Sequence, residues 1–173
     1  MFSIADIGVA SLPPRHQDGI AHSLAAHSPH PGLVAGSVVW TSDGAIAVEY
    51  LAPGDRVVTR NAGLVAVTAL HIVQYGGDFI QIAAQSLGKN RPDTDTILPA
   101  TQTVLVRGRI AQHITGQDTA LVAAERLGRI PGVTRHDRIE MTLVQLVFDR
   151  PQLVYADGLE TLCLPKECAR QDA

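Results

Sequence analysis

The pattern of apolar and polar positions changes character at Gly32. Beyond it, short apolar or alternating runs are separated by residues that turn a chain. Residues 33–41 form a β-branched run, Ser42-Asp43-Gly44-Ala45 is a turn, and residues 46–49 alternate again. Asp43-Gly44 between two such runs marks a hairpin. Pro53-Gly54-Asp55 leads into a strand over 56–59, and Asn61-Ala62-Gly63 turns that into a run over 64–73. Residues 79–82, 103–106, 139–148 and 152–155 read as further strands, and Asp157-Gly158 closes the last. Residues 86–96 are polar and read as a loop. Residues 119–127 are rich in Ala and Leu. With Asp118 or Thr119 as a cap and Gly128 as a stop, they predict the chain's helix. Many short strands with one short helix predict an all-β domain.

Residues 1–31 do not share this rhythm. Pro13, Pro14, Pro29 and Pro31 interrupt any apolar period, and His16, His22, His27 and His30 fall in the same stretch. The expected organisation is therefore a poorly structured arm over 1–31, a β domain over 32–165 and a short tail over 166–173. The spacing of the four histidines does not suit tetrahedral ligation, and no metal or other cofactor is predicted.

Composition narrows the picture. Aromatic residues are only 4% of the 173, so the core must be built from Val, Leu, Ile and Ala. Val and Ile favour strands. The net charge of −3, from 14 basic and 17 acidic residues, gives no long-range attraction to nucleic acid or anionic lipid. No apolar run approaches the roughly 20 residues that a membrane-spanning helix needs. The N-terminus lacks a basic region before its mildly apolar start, so a cytoplasmic protein is expected. Cys163 and Cys168 lie too close together to staple a core, which agrees with a reducing compartment.

Several segments together carry a family resemblance. Asp43-Gly44, Val48-Glu49-Tyr50-Leu51 and Gly54-Asp55-Arg56-Val57-Val58-Thr59 resemble the signature of the Hedgehog/intein (Hint) domain family. Gly36-Ser37 fits that family's Gly-Thr step. Gly116 onward, ending in Ala123-Ala124-Glu125-Arg126-Leu127, resembles a later family segment. Leu146-Val147-Phe148-Asp149-Arg150 and Val154-Tyr155-Ala156-Asp157-Gly158-Leu159 resemble the C-terminal block of its bacterial stand-alone type. The resemblance runs in order from about Gly32 to Pro165. It implies a flattened, pseudo-symmetric horseshoe of short strands. It also makes Gly36, Ser37, Asp43, Gly44, Glu49, Gly54, Asp55, Asp157 and Gly158 fold-keeping residues.

The chemistry implied by the resemblance is self-processing. A Cys or Ser at the start of the first strand attacks the preceding carbonyl. A Thr-x-x-His block polarises the amide and protonates the departing nitrogen, and a later His assists the second step. Here the nucleophile position is Gly32. The second block reads Leu98-Pro99-Ala100-Thr101-Gln102, with Pro99 where a hydroxyl belongs and Gln102 where the His belongs. The later His is replaced by Pro151. Gln102 can hydrogen-bond but carries no proton that titrates near neutrality. The expectation is a member with degenerate catalytic positions that acts as a binding or interaction module for an unidentified protein partner. The alternative is residual self-cleavage or hydrolysis through other residues. Ser37, Cys163 and Cys168 are the nucleophiles to weigh, and His71, His113 and His136 the bases. No motif such as G-x-S-x-G joins them.

Overall fold

The computed structural model describes residues 32–165, and the expected arm and tail, with Cys168, lie outside them. Among the described residues the alternation read from the sequence becomes twelve strands. In the hairpin of β2 (Val38–Thr41) and β3 (Gly44–Ala47), Val39 and Thr41 point inward while Val38 and Trp40 face out. Thr41 pins the hairpin turn: its Oγ1 donates to the Gly44 carbonyl at 2.8 Å and accepts from the Asp43 amide at 3.1 Å. The next hairpin, β4 (Arg56–Thr59) with β5 (Gly63–Ala66), repeats the device. Thr59 Oγ1 donates to the Gly63 carbonyl at 2.9 Å and accepts from the Ala62 amide at 3.1 Å.

Two long strands cross the molecule, β6 (Ala69–Ile82) and β10 (Val133–Val147). They pair antiparallel from Ala69–Val147 to Ile82–Val133. The sequence reading split β6 in two and placed the start of β10 too late. Gly76-Gly77 interrupts the apolar run in β6, and a bulge between His136 and Ile139 in β10 absorbs the irregularity opposite. The bulge puts Arg138 at φ 55°, and its amide donates to Asp78 Oδ1 at 3.1 Å. That amide, and then the Arg135 guanidinium, hold the Asp78 carboxyl below its ordinary range.

The remaining order shows the symmetry of the domain. β1 (Leu33–Val34) flanks β10, and β7 (Thr96–Pro99) flanks β6, giving a four-stranded sheet ordered β1-β10-β6-β7. After β1 the chain turns into the β2–β3 hairpin and a 3-10 turn at Val48–Tyr50. After β7 it turns into the pair β8 (Thr103–Arg107) and β9 (Thr119–Ala123), then a 3-10 turn at Ala124–Leu127. The residues leading into these two turns are alanines of nearly equal conformation, Ala47 (φ −66°, ψ 137°) and Ala123 (φ −67°, ψ 141°). β11 (Gln152–Ala156) and β12 (Leu159–Cys163) complete the larger sheet, ordered β3-β2-β4-β11-β12-β8-β9 with β5 beside β4.

The helix expected over 119–127 is not there. Residues 119–123 pair with β8 along their whole length, Arg107 opposite Thr119 through Thr103 opposite Ala123, and bury Ala120 and Val122. Tertiary pairing has overridden the helix preference of Ala and Leu. The helix, α1 (Gly108–Thr115), lies between β8 and β9 instead, where the first half has only a tight turn. It ends at Gly116 in the left-handed region (φ 76°). The core forms between the sheets from Val39, Val57, Ile80, Val104, Val122, Val144, Phe148 and Val154, all at most 2% exposed. As the composition requires, it is mostly aliphatic.

Candidate functional site

Where β7 turns into β8, Gln102 is 1% exposed. Its Nε2 donates to the carbonyls of Thr103 (3.1 Å) and Leu162 (2.9 Å). Two carbonyls at one end of the side-chain amide fix which end is nitrogen, because a second carbonyl-type oxygen there would face two acceptors. The other end is therefore oxygen. Gln102 Oε1 accepts from the Gly32 amide at 2.9 Å. One side chain thus ties together the entry to β1, the start of β8 and the end of β12, at Leu162 just before Cys163, with its main donors and acceptor spent.

Gly32 itself is buried and its φ is not in the left-handed region. A Cβ there would meet Leu143 Cβ at 3.3 Å, Gln145 Cγ at 3.4 Å and the Val144 carbonyl at 3.4 Å. These are tight contacts but not clashes, so neither backbone nor space demands glycine.

Hydrogen bonds join three of the four positions singled out for chemistry, Gly32, Pro99 and Gln102. Pro99 ends the edge strand β7 opposite Phe79, a place where a residue without an amide hydrogen is tolerated. It is linked to Gln102 through its carbonyl, which accepts the Gln102 amide at 2.9 Å. Pro151 stands before β11, and its carbonyl accepts from Asn61 Nδ2 at 3.2 Å. No described hydrogen bond joins it to Gly32 or Gln102.

The substitute nucleophiles and bases are placed as follows. Cys163 is buried, and burial pushes its thiol up to about 12, far from a reactive thiolate. Ser37 is buried at the turn after β1, where its carbonyl accepts the Val48 amide at 2.8 Å. His71 lies on β6, His113 on α1 and His136 on β10 beside Gln81 Oε1 at 2.8 Å. Among the described residues no three His, Cys, Asp or Glu side chains gather closely enough to hold a metal ion.

The expected fold-keeping residues sit at turns and crossings. Gly36 has φ +96°, and its amide donates to Glu49 Oε2 at 2.7 Å. Asp55 Oδ2 accepts the Ala52 amide at 2.8 Å across the turn that holds Gly54. Asp157 Oδ1 accepts from the Val38 amide at 2.8 Å and Oδ2 from Thr96 Oγ1 at 2.7 Å, joining the two sheets. At Gly158 (φ +78°) a Cβ would lie 2.7 Å from the Asp93 amide nitrogen, so the loop can pass only over glycine. Sequence reading missed one group altogether. Glu160, 3% exposed, faces Arg60, Arg91 and Arg107, which come from three separate segments.

A family model described as the Hint domain matches residues 31–165. Among solved structures, the bacterial intein-like domain from Clostridium thermocellum is 14% identical with a TM-score of 0.54, covering 78% of this chain and 99% of that one. The TvoVMA intein is 11% identical with a TM-score of 0.53, covering 76% and 96%. A splice-inactive variant of the AceL NrdHF class 3 split intein is 11% identical with a TM-score of 0.52, covering 79% and 99%. At such identities the likeness is one of fold. No curated protein matches the chain in sequence.

Proposed function

This chain belongs to the Hint domain family, and we propose that it is a member whose self-processing chemistry has been lost, leaving a binding or interaction module. The observation that carries this reading is the oxygen of Gln102 on the Gly32 amide at 2.9 Å. An acyl shift at this point needs a side-chain nucleophile on residue 32 and a proton for the nitrogen of residue 32 as its bond to the preceding carbonyl breaks. Gly32 offers no nucleophile. The group beside its nitrogen is an acceptor with no titratable proton. An acceptor there binds the N–H and favours the planar, resonance-stabilised amide, so it protects the bond that a catalyst would have to weaken.

The one thiol among the described residues supports the same reading, since Cys163 is buried and held far from ionisation. Gln102 then serves as a fold-keeping residue, closing the domain where its first, eighth and twelfth strands meet. The test is to incubate the wild-type protein with a small thiol and follow its intact mass. A single unchanged mass is expected. A fragment beginning at Gly32 would overturn the reading, because another residue would then have taken over the chemistry.

A further inference from the structure

The three arginines around Glu160 do not balance it. Arg107 donates through Nη2 to both carboxylate oxygens, each at 2.5 Å. Arg91 approaches Oε1 through Nη1 at 3.4 Å and donates through Nη2 to the Leu105 carbonyl at 3.1 Å. Arg60 approaches the same Oε1 at 3.5 Å, an ion pair too long for a good hydrogen bond. Three guanidiniums thus share one carboxylate, which leaves two positive charges over. Buried Nε atoms of Arg60 and Arg107 have no hydrogen-bond partner. Only Glu160 is buried; the arginines are partly exposed, and the two Nε atoms are the donors shut away from both water and a partner. Burial and the neighbouring arginines weaken the proton affinity of Arg91, and Glu160 opposes them.

The cluster is held in place by backbone. Arg107 ends β8, and Glu160 sits on β12 beside it in the same sheet. The Arg60 amide donates to the Leu153 carbonyl at 2.8 Å. The loop carrying Arg91 is closed by the Leu87 amide on the Arg91 carbonyl at 2.8 Å and by the Arg91 amide on the Gly88 carbonyl at 3.1 Å. The side chains of Arg60, Arg91 and Arg107 remain 28%, 19% and 36% exposed, so a small ligand can reach them.

The geometry points to a binding site for a phosphate dianion, free or as a monoester, at Arg60, Arg91 and Arg107 above Glu160. Two surplus charges match a dianion. Guanidinium N–H groups pair well with tetrahedral oxyanions. Arg107 engages Glu160 through Nη2 alone and Arg60 approaches it through Nη1 alone, so the other terminal nitrogen of each is the donor offered to a ligand. The site is separate from Gly32 and Gln102 and does not depend on the fate of the acyl shift.

The experiment is calorimetric titration of the full chain with inorganic phosphate, and separately with a capped phosphoserine peptide, against sodium chloride at equal ionic strength. One-to-one binding of phosphate or peptide but not of chloride is expected, and the tighter ligand identifies the source. Arg107→Gln should weaken binding by about tenfold or more, the loss of one charge-assisted pair. Arg60→Gln serves as the second variant where circular dichroism shows that the first does not fold. Glu160→Gln, which removes the competing carboxylate, should tighten binding. If neither ligand binds the wild type better than chloride, the site does not exist. If a folded arginine variant binds as the wild type does, the phosphate is held elsewhere and the proposal is wrong.

Discussion

Two buried polar centres bind the same strand pair, β8 and β12, and they are opposites. Gln102 is neutral and its hydrogen bonds are spent: one accepted from Gly32, two donated to Thr103 and Leu162. Glu160 faces three guanidiniums with one carboxylate, and Nε of Arg60 and Arg107 are unpartnered. A saturated neutral group has little left to offer a reactant or ligand, and its contribution is to hold chain segments together. An oversupplied cationic cluster is poor value as packing and retains capacity for an anion. The position that family resemblance marks for chemistry is the one whose hydrogen bonds are all made, and the position the resemblance does not mention is the one with donors left over.

This contrast can be broken by substitution. Gln102→Ala should have the largest effect, a loss of about 4 kcal/mol, because three backbone groups lose their partner in a place water cannot reach and a cavity opens. The midpoint and slope of urea denaturation measure it. Glu160→Ala should cost less, about 2 kcal/mol, since the three arginines are partly exposed and can turn toward water. It should also make stability more sensitive to added anions, whereas Gln102→Ala should not. Equal costs would mean that the two centres clamp β8 to β12 equally, and the reverse order that the charged cluster is the chief clamp; either contradicts the contrast. The smallest effect is expected at Gly32→Ala, within about 1 kcal/mol, because the new methyl meets its neighbours at 3.3–3.4 Å and the backbone needs no change. A large loss there would show that glycine is required by packing, and its presence would then say nothing about lost chemistry.

The fold was legible in the sequence wherever local turn chemistry decides it. Asp43-Gly44 makes a hairpin, Gly54-Asp55 a turn, and Asp157-Gly158 the closing turn, each through bonds between near neighbours or a backbone that only glycine allows. It was misread where partners decide. Thr119–Ala123 has helix-favouring residues but is a strand because β8 lies beside it, and Gly108–Thr115 is a helix with no capping side chain to announce it. The candidate site was half legible. The place of Gln102 follows from the motif around it, but its pairing with Gly32, 70 residues away, does not. Glu160 was invisible, because a glutamate between Leu159 and Thr161 reads as a solvent-facing strand residue, and the arginines that bury it are scattered from residue 60 to residue 107.

The central claim is that an acceptor on the nitrogen of residue 32 keeps this domain silent even when a nucleophile is supplied. The direct measurement is the intact mass of Gly32→Cys over time in a small thiol, with Gln102 left in place and folding checked by circular dichroism. The account predicts one unchanged mass, because among the described residues the group on that nitrogen is the Gln102 oxygen, which has no proton to deliver. Release of a fragment beginning at position 32 would contradict it.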